Sequence, residues 1–302
     1  MLALRNLRHR AEYALALCVG VVFRILPIDF AASVAGSLVA WVTPWTAYHR
    51  RALRNLAVAF PDWSEAERRR IAAAMWRHTG RTIAEVILLD RIMSDPSRLE
   101  IEGREAWEGR LREPGGKVAV TLHIGNWEMT GIAFGACGDK LAVTYRPLRN
   151  PYLDRYLLRT RSPYYPSGLI AKGGRYGVRA TRSTLEAAIN GLREGGQLGL
   201  VCDQVDEGSD FAVPFFGQQA KFTTAPAVLA RAAGGQFWIA RCIRRGRYSR
   251  FLIQHKELPV ERTSDRDADL RNMTAAMALQ FERWIRETPE QWMWWLRRSM
   301  TG

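Results

Sequence analysis

The sequence stretch with the clearest capacity for chemistry contains a histidine and a glutamate five residues apart, His123 and Glu128. An apolar run, Val118–Leu122, stops at the histidine, and a turn through Gly125 precedes the glutamate. On one continuous helix this spacing would separate the two side chains, but across a turn a carboxylate on the first helical turn reaches the imidazole. We therefore expect His123 as a general base that Glu128 orients. The same residues also fit a loop histidine beside a solvent-facing acid that the helix dipole favours.

Strands alternate with helices around this stretch, and the alternation predicts the scaffold. It indicates an α/β fold with a mixed, mainly parallel sheet flanked by helices. The strand Gln197–Cys202 runs directly into Asp203, so this acid ends a strand as His123 does. In an open α/β sheet the carboxyl ends of the strands share one edge, and we expect both side chains to face one crevice.

The remaining elements follow from hydrophobic periodicity and from cap and turn residues. Further strands are predicted at Arg98–Gly103, Lys140–Tyr145 and, as a hairpin, Gln236–Ile243 and Tyr248–Gln254. Helices are predicted from the cap Ser64 to Ile92 and over Arg104–Arg112, Tyr152–Arg161, Ser183–Arg193, Thr223–Ala233 and Asp265–Glu287. Two long loops are predicted, Ser162–Arg175 and Asp206–Phe222.

Four cysteines are scattered through the 302 residues, and no two of them form a C-x-x-C pair. Their spacing suggests neither a zinc site nor a disulfide framework and favours reduced, cytosol-facing thiols. The sequence contains no cluster of metal ligands, and we expect no cofactor. With 47% hydrophobic residues the chain is able to bury a large core.

The formal net charge of +14 is the strongest signal in the composition. An excess of this size suits an anionic membrane surface, nucleic acid or an acidic protein partner. The arginines are spread over most segments and no nucleic-acid-binding motif occurs, whereas the 11 tryptophans are typical of a membrane interface. We therefore favour a membrane surface over nucleic acid.

Residues 1–60 are predicted to form an N-terminal helical membrane-association region, followed by an α/β domain over residues 61–302. Two uncharged runs, Tyr13–Phe23 and Phe30–Tyr48, are respectively too short and only marginally long for a bilayer of about 30 Å. Arginines lie at both ends, so a single crossing would leave one basic cluster on the disfavoured side. A helical hairpin on the cytoplasmic leaflet satisfies both clusters, and two buried core helices are the alternative.

Aromatic residues near the C-terminus have two open interpretations, an interfacial belt at a membrane or a cover over the edge of the sheet. The residues concerned are Trp284, Trp292, Trp294 and Trp295, together with Arg297 and Arg298. Adjacent phenylalanines, Phe215 and Phe216, are expected to pack beneath their loop or to bind something apolar.

Five sequence blocks occur in order along nearly the whole chain. They are Asn55-Leu56 with Ala59-Phe60-Pro61; His123–Glu128; Tyr145-Arg146-Pro147 with Asn150-Pro151 and Asp154; Asp203-Gln204 with Val213–Gly217 and Thr223; and Pro289–Arg298. Together these blocks resemble the lipid A biosynthesis acyltransferases of Gram-negative bacteria, of the lauroyl/myristoyl type, within the lysophospholipid acyltransferase superfamily. The chain departs from many relatives at Leu296, where they carry a histidine, and in an N-terminal span that Arg24, Pro27 and Asp29 interrupt.

The resemblance implies transfer of an acyl chain from a thioester to a hydroxyl, with no metal and no cofactor. It makes His123 the catalytic base and Glu128 its orienting carboxylate, with direct attack by the acceptor hydroxyl. Arg161, at the position of a functional family arginine, is expected to bind a phosphate or to pair with an acidic residue of the site. A solvated arginine at a helix end is the alternative.

Three further residues are candidates for binding substrate. Asp203 is expected to orient Arg161 or a substrate hydroxyl, and a plain loop cap is its alternative. Arg146 and Asn126 are lesser candidates, and Asn126 also fits a turn residue or a helix cap.

The expected donor is acyl carrier protein, which is acidic, or acyl-CoA, and a positive surface would steer either of them. The expected acceptor is a lipid A precursor, at the cytoplasmic face of the cell inner membrane. One alternative is an acyltransferase of the same superfamily acting on another glycolipid or phospholipid, such as a phosphatidylinositol mannoside. A more distant alternative is a non-catalytic membrane-surface or nucleic-acid-binding protein.

Overall fold

A seven-stranded sheet lies at the centre of the computed structural model, which describes residues 2–136, 141–165, 167–171, 182–204 and 211–297. In chain order the strands are β1 (Leu99–Ile101), β2 (Lys117–Thr121), β3 (Leu141–Tyr145), β4 (Leu169–Ala171), β5 (Gln197–Val201), β6 (Ala212–Phe215), β7 (Gln218–Lys221), β8 (Gln236–Arg244) and β9 (Phe251–Leu258). The sheet order is β1-β9-β8-β2-β5-β3-β4, and β6 and β7 form a separate hairpin. Within the sheet β8 and β9 are antiparallel and the other neighbouring pairs are parallel. The predicted mixed, mainly parallel sheet is therefore confirmed.

Helices cover both faces of this sheet. In chain order they are α1 (Leu2–Ile25), α2 (Ile28–Val42), α3 (Ala47–Ala59), α4 (Glu65–Ile87), α5 (Leu89–Met93), α6 (Arg104–Arg112), α7 (Trp127–Ala136), α8 (Pro151–Arg161), α9 (Arg182–Arg193), α10 (Ala225–Ala233) and α11 (Arg266–Glu287). The larger apolar core receives side chains from α3, α4, α10 and α11, and a second core lies beneath α5, α6 and α7. The predicted cap of α4 is present, because Ser64 accepts a hydrogen bond of 3.2 Å from the backbone N–H of Glu67.

Strand β2 is buried along its whole length because it lies between β5 and β8. Val118 and Val120 pack into the larger core and Ala119 packs into the second one, as the two-residue period of a strand requires. A parallel strand covered on both faces has little freedom to move. The chain therefore leaves the sheet at a fixed place, just before His123.

Helices α1 to α3 occupy the region predicted over residues 1–60. Among the described residues, the helices all fall short of the length and apolar character that crossing a bilayer requires. Helix α3 contributes Ala52 and Leu56 to the larger core, whereas α1 and α2 carry many exposed apolar side chains. The predicted helices are present; membrane attachment and a domain boundary after residue 60 stay predictions.

Two glycines bring the backbones of α2 and α4 into contact. A Cβ atom at Gly80 would lie 2.4 Å from the carbonyl oxygen of Ala35, and one at Gly36 would lie 2.8 Å from the carbonyl oxygen of Arg77. Both positions therefore need glycine because the helices approach closely. This contact fixes α2 against α4.

The tryptophan-rich C-terminal segment belongs to the larger core. Trp292 and Trp294 are 1% and 0% exposed, and Trp284 and Arg297 are also buried. The interpretation as an interfacial belt is therefore wrong for these side chains, and the alternative of a buried cover is confirmed. Arg298 lies outside the described residues.

The predicted loop Asp206–Phe222 contains the β6–β7 hairpin, which sequence patterning missed. Pro214 lies within β6, and a proline inside a run weakens the signal for a strand. Phe215 and Phe216 are both buried, so they pack beneath this segment as one of the two interpretations held. Residues 205–210, and residues 166 and 172–175 of the other predicted loop, lie outside the described residues.

Replacing Gly80 with alanine should destabilise the protein by about 1–3 kcal/mol, because the new methyl group meets backbone atoms that cannot move aside. Gly109 is the matched control, since it is exposed within α6 and a Cβ there meets nothing within 4 Å. Gly109→Ala should raise the free energy of unfolding by about 0.5–1 kcal/mol. Urea unfolding of both variants measures the difference, and equal shifts would contradict the close helix contact.

Candidate active site

Backbone hydrogen bonds hold the short loop that carries His123 on both sides. The N–H of Gly125 donates to the carbonyl oxygen of Gln291 at 2.9 Å, and the N–H of Met293 donates to that of His123 at 3.0 Å. Gly125 has a φ of 55°, and a Cβ atom there would lie 2.0 Å from the carbonyl oxygen of Cys242. Only glycine fits this place, and the loop is therefore held in one conformation.

The side chain of His123 is paired with the carboxylate of Asp203. The distance from His123 Nδ1 to Asp203 Oδ1 is 2.7 Å, and the backbone N–H of His123 donates to Asp203 Oδ2 at 2.8 Å. A carboxylate only accepts hydrogen bonds, so Nδ1 carries the proton and Nε2 carries the lone pair. The imidazole is thereby held in the tautomer that a general base needs, with 15% of the side chain exposed.

This pairing follows from the register of two neighbouring parallel strands. Thr121 of β2 lies opposite Val201 of β5. His123 and Asp203 each come two residues later, so they leave the sheet side by side at the same edge. The prediction that the two residues come to the same edge of the sheet is confirmed, and equal offset from the two strand ends was its signal in the sequence.

Asp203 is 2% exposed and is held in its ionised form by its neighbours. Burial opposes ionisation, but electrostatic attraction to the His123 side chain and the hydrogen bonds from His123 outweigh burial and place the pKa of this carboxyl below its ordinary value. The indole N–H of Trp292 adds a further hydrogen bond of 2.7 Å to Asp203 Oδ2. The site therefore contains a carboxylate ready to stabilise a protonated imidazole.

Arg297 supports this arrangement from below. Its side chain is 1% exposed, donates to the carbonyl oxygen of Asp203 at 2.9 Å, and lies over the rings of Phe215 and Phe222. Burial lowers the pKa of Arg297 to about 10, which leaves the guanidinium charged at neutral pH. Asn55 of α3 donates to the carbonyl oxygen of Arg297 at 2.9 Å, so the N-terminal block of the sequence holds the C-terminal one.

The structure corrects the predicted contact between Glu128 and His123. Glu128 forms an ion pair with Arg161 at the end of α8, and Asp203 provides the carboxylate on Nδ1. The reason is geometric, because α7 begins at Trp127 and that ring packs against His123 with 5.0 Å between centroids. Of the two expectations for Arg161, pairing with an acidic residue of the site is the one observed. Asp203 therefore orients His123, and it does not orient Arg161.

Of the two lesser candidates, Asn126 is buried, and substrate binding by Arg146 stays a prediction. Asn126 is 0% exposed and donates from Nδ2 to Glu85 Oε2 at 3.1 Å, so its side chain faces the interior and not a substrate. Arg146 is exposed just after β3, and no hydrogen bond or ion pair within the described residues joins it to the others. The reasoning from sequence also missed Trp292, Arg297 and Glu85 as neighbours of the site. Buried acids and indoles carry no pattern of their own in one sequence.

Metal ligation is not a feature of the described part of the chain. No group of three or more histidine, cysteine, aspartate or glutamate side chains within it could hold a metal ion. The described centre is a histidine–carboxylate pair beside a glutamate–arginine pair.

Comparison with known proteins places this geometry in context. Residues 3–301 match the family described as bacterial lipid A biosynthesis acyltransferase. The chain is 27% identical over 256 residues to the lipid A biosynthesis palmitoleoyltransferase of Escherichia coli K12, covering 83% of this chain and 78% of that protein. It is 28% identical over 257 residues to the lipid A biosynthesis lauroyltransferase of the same organism, covering 82% and 78%.

His78 of α4 provides a test of the buried charges beneath the site. Burial, together with the charges of Arg244 and Arg81, lowers the pKa of His78 to about 3, against about 6.5 in the unfolded chain. Between these values the unfolded chain binds a proton that the folded protein does not, so stability falls as pH falls. This group alone contributes a slope of up to about 1.4 kcal/mol per pH unit.

We expect His78→Gln to make stability less dependent on pH between about pH 4 and pH 6, because it removes that contribution. Urea unfolding of the variant and the parent across this range gives the free energy of unfolding of each protein as a function of pH. Contributions from the other titrating groups are the same in both proteins and cancel in the difference. Parallel plots for the two proteins would contradict the depressed pKa of His78.

Proposed function

Because the chain belongs to the bacterial lipid A biosynthesis acyltransferase family and is an acyltransferase, we propose that it moves a fatty acyl chain from a thioester to a hydroxyl of a lipid A precursor. The observation that carries the proposal is the 2.7 Å contact between His123 Nδ1 and Asp203, which leaves Nε2 as a base at a strand end. The relatives named for palmitoleoyl and lauroyl transfer to lipid A support the choice of acceptor.

His123 is the general base in this reaction. Its Nε2 takes the proton as the acceptor oxygen attacks the thioester carbonyl; the carbon–sulfur bond then breaks, and the imidazolium returns the proton to the thiolate. Asp203 holds Nδ1–H and stabilises the imidazolium, as the carboxylate of a hydrolase triad does. Direct attack is favoured over an acyl-enzyme: Cys242, whose backbone lies against Gly125, is fully buried, and burial raises the pKa of its thiol.

Glu128 holds Arg161 at the edge of the site. The Nε atom of Arg161 is buried without a hydrogen-bond partner among the described residues, while one of its terminal nitrogens pairs with Glu128. A guanidinium held in this way is suited to a phosphate, through bidentate hydrogen bonds. We propose that Arg161 binds a phosphate of the acceptor or of the carrier.

The donor is proposed to be acyl carrier protein, with acyl-CoA as the alternative. The formal net charge of +14 favours an acidic partner, since opposite charges accelerate encounter and the effect weakens with salt.

The first test is the lipid A of cells that carry the parent gene or a His123→Ala variant in place of it. The variant should yield lipid A that lacks one acyl chain, which mass spectrometry detects. Purified protein should lose about 10²–10⁴-fold in kcat on His123→Ala, and Asp203→Asn should also impair transfer because the tautomer is no longer held.

His255 provides the matched control for this test. It is a histidine on β9, two strands from β2, and it stacks on Trp107. His255→Gln should keep the parental kcat. Parental rates for His123→Ala would refute His123 as the general base. If another glycolipid or phospholipid lacks an acyl chain in the His123→Ala cells, that lipid, and not a lipid A precursor, is the acceptor.

We further propose that the protein lies on the cytoplasmic face of the inner membrane through α2 and the turn after it. The exposed apolar side chains there are Phe30, Leu38, Trp41, Val42 and Trp45. Arg50 and Arg54, also exposed, follow directly on α3 and suit anionic headgroups.

Replacing Trp41 and Trp45 with serine should weaken binding to vesicles of anionic phospholipid by about tenfold or more, because two large apolar side chains no longer enter the interface. Leu279→Ser is the control, since Leu279 is 50% exposed on α11. Co-sedimentation with vesicles measures the change, and equal binding by all three proteins would exclude this surface.

A further inference from the structure

A second carboxylate, Glu85 of α4, lies fully buried beneath the loop that carries His123. Glu85 is 0% exposed and forms an ion pair with Arg244, whose side chain is equally buried. It also accepts hydrogen bonds from Ser249 Oγ at 2.8 Å and from Asn126 Nδ2 at 3.1 Å. Burying a charged pair costs desolvation energy that apolar packing would avoid, so stability alone is a poor explanation for it.

One branch of this network reaches the histidine loop from below. Asn126 comes three residues after His123 and immediately before α7. On the same helix as Glu85, Thr82 Oγ1 donates to the carbonyl oxygen of Gly125 at 2.9 Å. Helix α4 therefore binds two successive residues of the loop, one through a side chain and one through the backbone.

The other branch returns to the loop through Arg244 and Gln291. The backbone N–H of Arg244 donates to Gln291 Oε1 at 2.7 Å, and Gln291 Nε2 donates back to the carbonyl oxygen of Arg244 at 3.1 Å. The carbonyl oxygen of Gln291 accepts from the N–H of Gly125 at 2.9 Å. The contacts form a closed ring in which Glu85 is the anion.

From this ring we infer that Glu85 is a positioning residue for acyl transfer: through Arg244 and Asn126 it fixes the loop so that His123 meets Asp203 and the acceptor hydroxyl. The inference rests on the proposed function of His123 as the base. Glu85 does not touch the reacting atoms; it acts through the loop.

A carboxylate is the group that this position needs. Three donors, from Arg244, Ser249 and Asn126, converge on the two oxygens of Glu85. A glutamine would keep the shape but carry no charge, which leaves the buried guanidinium of Arg244 without the carboxylate that it pairs with. The loop would then shift, and a shift of about 1 Å in a catalytic group lowers the rate by about 10²-fold.

The test is Glu85→Gln in the purified full chain, assayed with an acyl carrier protein thioester and a lipid A precursor. We expect kcat to fall by about 10–10²-fold with little change in KM, because the base is misplaced while substrate contacts remain. The acid limb of the profile of kcat/KM against pH should move to lower pH, since an imidazolium that has lost its alignment with Asp203 is less stabilised.

Asp269 provides a matched control with the same kind of buried carboxylate. It is 1% exposed, accepts from Arg231 Nε at 2.8 Å and from Thr263, and its described partners are outside the ring. Asp269→Asn should lower the free energy of unfolding without changing kcat per folded molecule or the pH profile.

A milder variant separates positioning from folding. Asn126→Ala leaves the ion pair of Glu85 and Arg244 intact but removes its direct hydrogen bond to the loop. A positioning role predicts a loss of kcat and a shift of the acid limb in the same direction as in Glu85→Gln. This variant carries the test if Glu85→Gln does not fold.

Two results would overturn the inference while the proposed function stands. The first is a parental kcat and pH profile in Asn126→Ala or in folded Glu85→Gln, with His123→Ala inactive. The second is an equal loss of kcat in Glu85→Gln and Asp269→Asn, which would make the effect one of stability. Parental transfer by His123→Ala would instead refute the proposed function itself.

Discussion

The hydrogen bond between His123 and Asp203 depends on the register of two strands in the middle of the sheet. Because β2 and β5 are parallel neighbours with Thr121 opposite Val201, residues two positions further on emerge together. A slip of one residue would turn one side chain to the opposite face and separate the pair. The burial of β2 on both faces therefore serves the chemistry, since it prevents that slip. A histidine and an acid 80 residues apart in the chain become one unit because each follows one of two paired strands.

Much of this could be predicted from the sequence, and the part that could not has a clear physical cause. Alternating apolar runs and helices predict the sheet, and two strand ends that run into His123 and Asp203 predict their shared edge. Choosing which carboxylate binds the imidazole requires the strand order, which a single sequence does not contain. Spacing favoured Glu128 because it is near in the chain, whereas adjacency in the sheet favours Asp203. Likewise, the richness in tryptophan fits a membrane surface and a buried cover equally well, and only packing distinguishes Trp292 from Trp41.

Charged groups are buried in this molecule where several chain segments converge. The pair of Glu85 and Arg244 joins α4, β8 and the histidine loop, and Arg297 joins the C-terminal segment to Asp203 and the β6–β7 hairpin. A single charged group with several hydrogen-bonding positions fixes more segments at once than an apolar side chain, which has no directional contacts. Burying these charges costs desolvation energy, and their hydrogen bonds hold several segments in one arrangement.

The cover formed by Trp292 and Arg297 also has a consequence for how the protein is made. Both residues follow every helix and strand that the structure describes, and both hold Asp203. Synthesis proceeds from the N-terminus, so both residues join the folding chain after the strands that carry His123 and Asp203. The carboxylate that pairs with the histidine is therefore fully held only when these later residues pack over it.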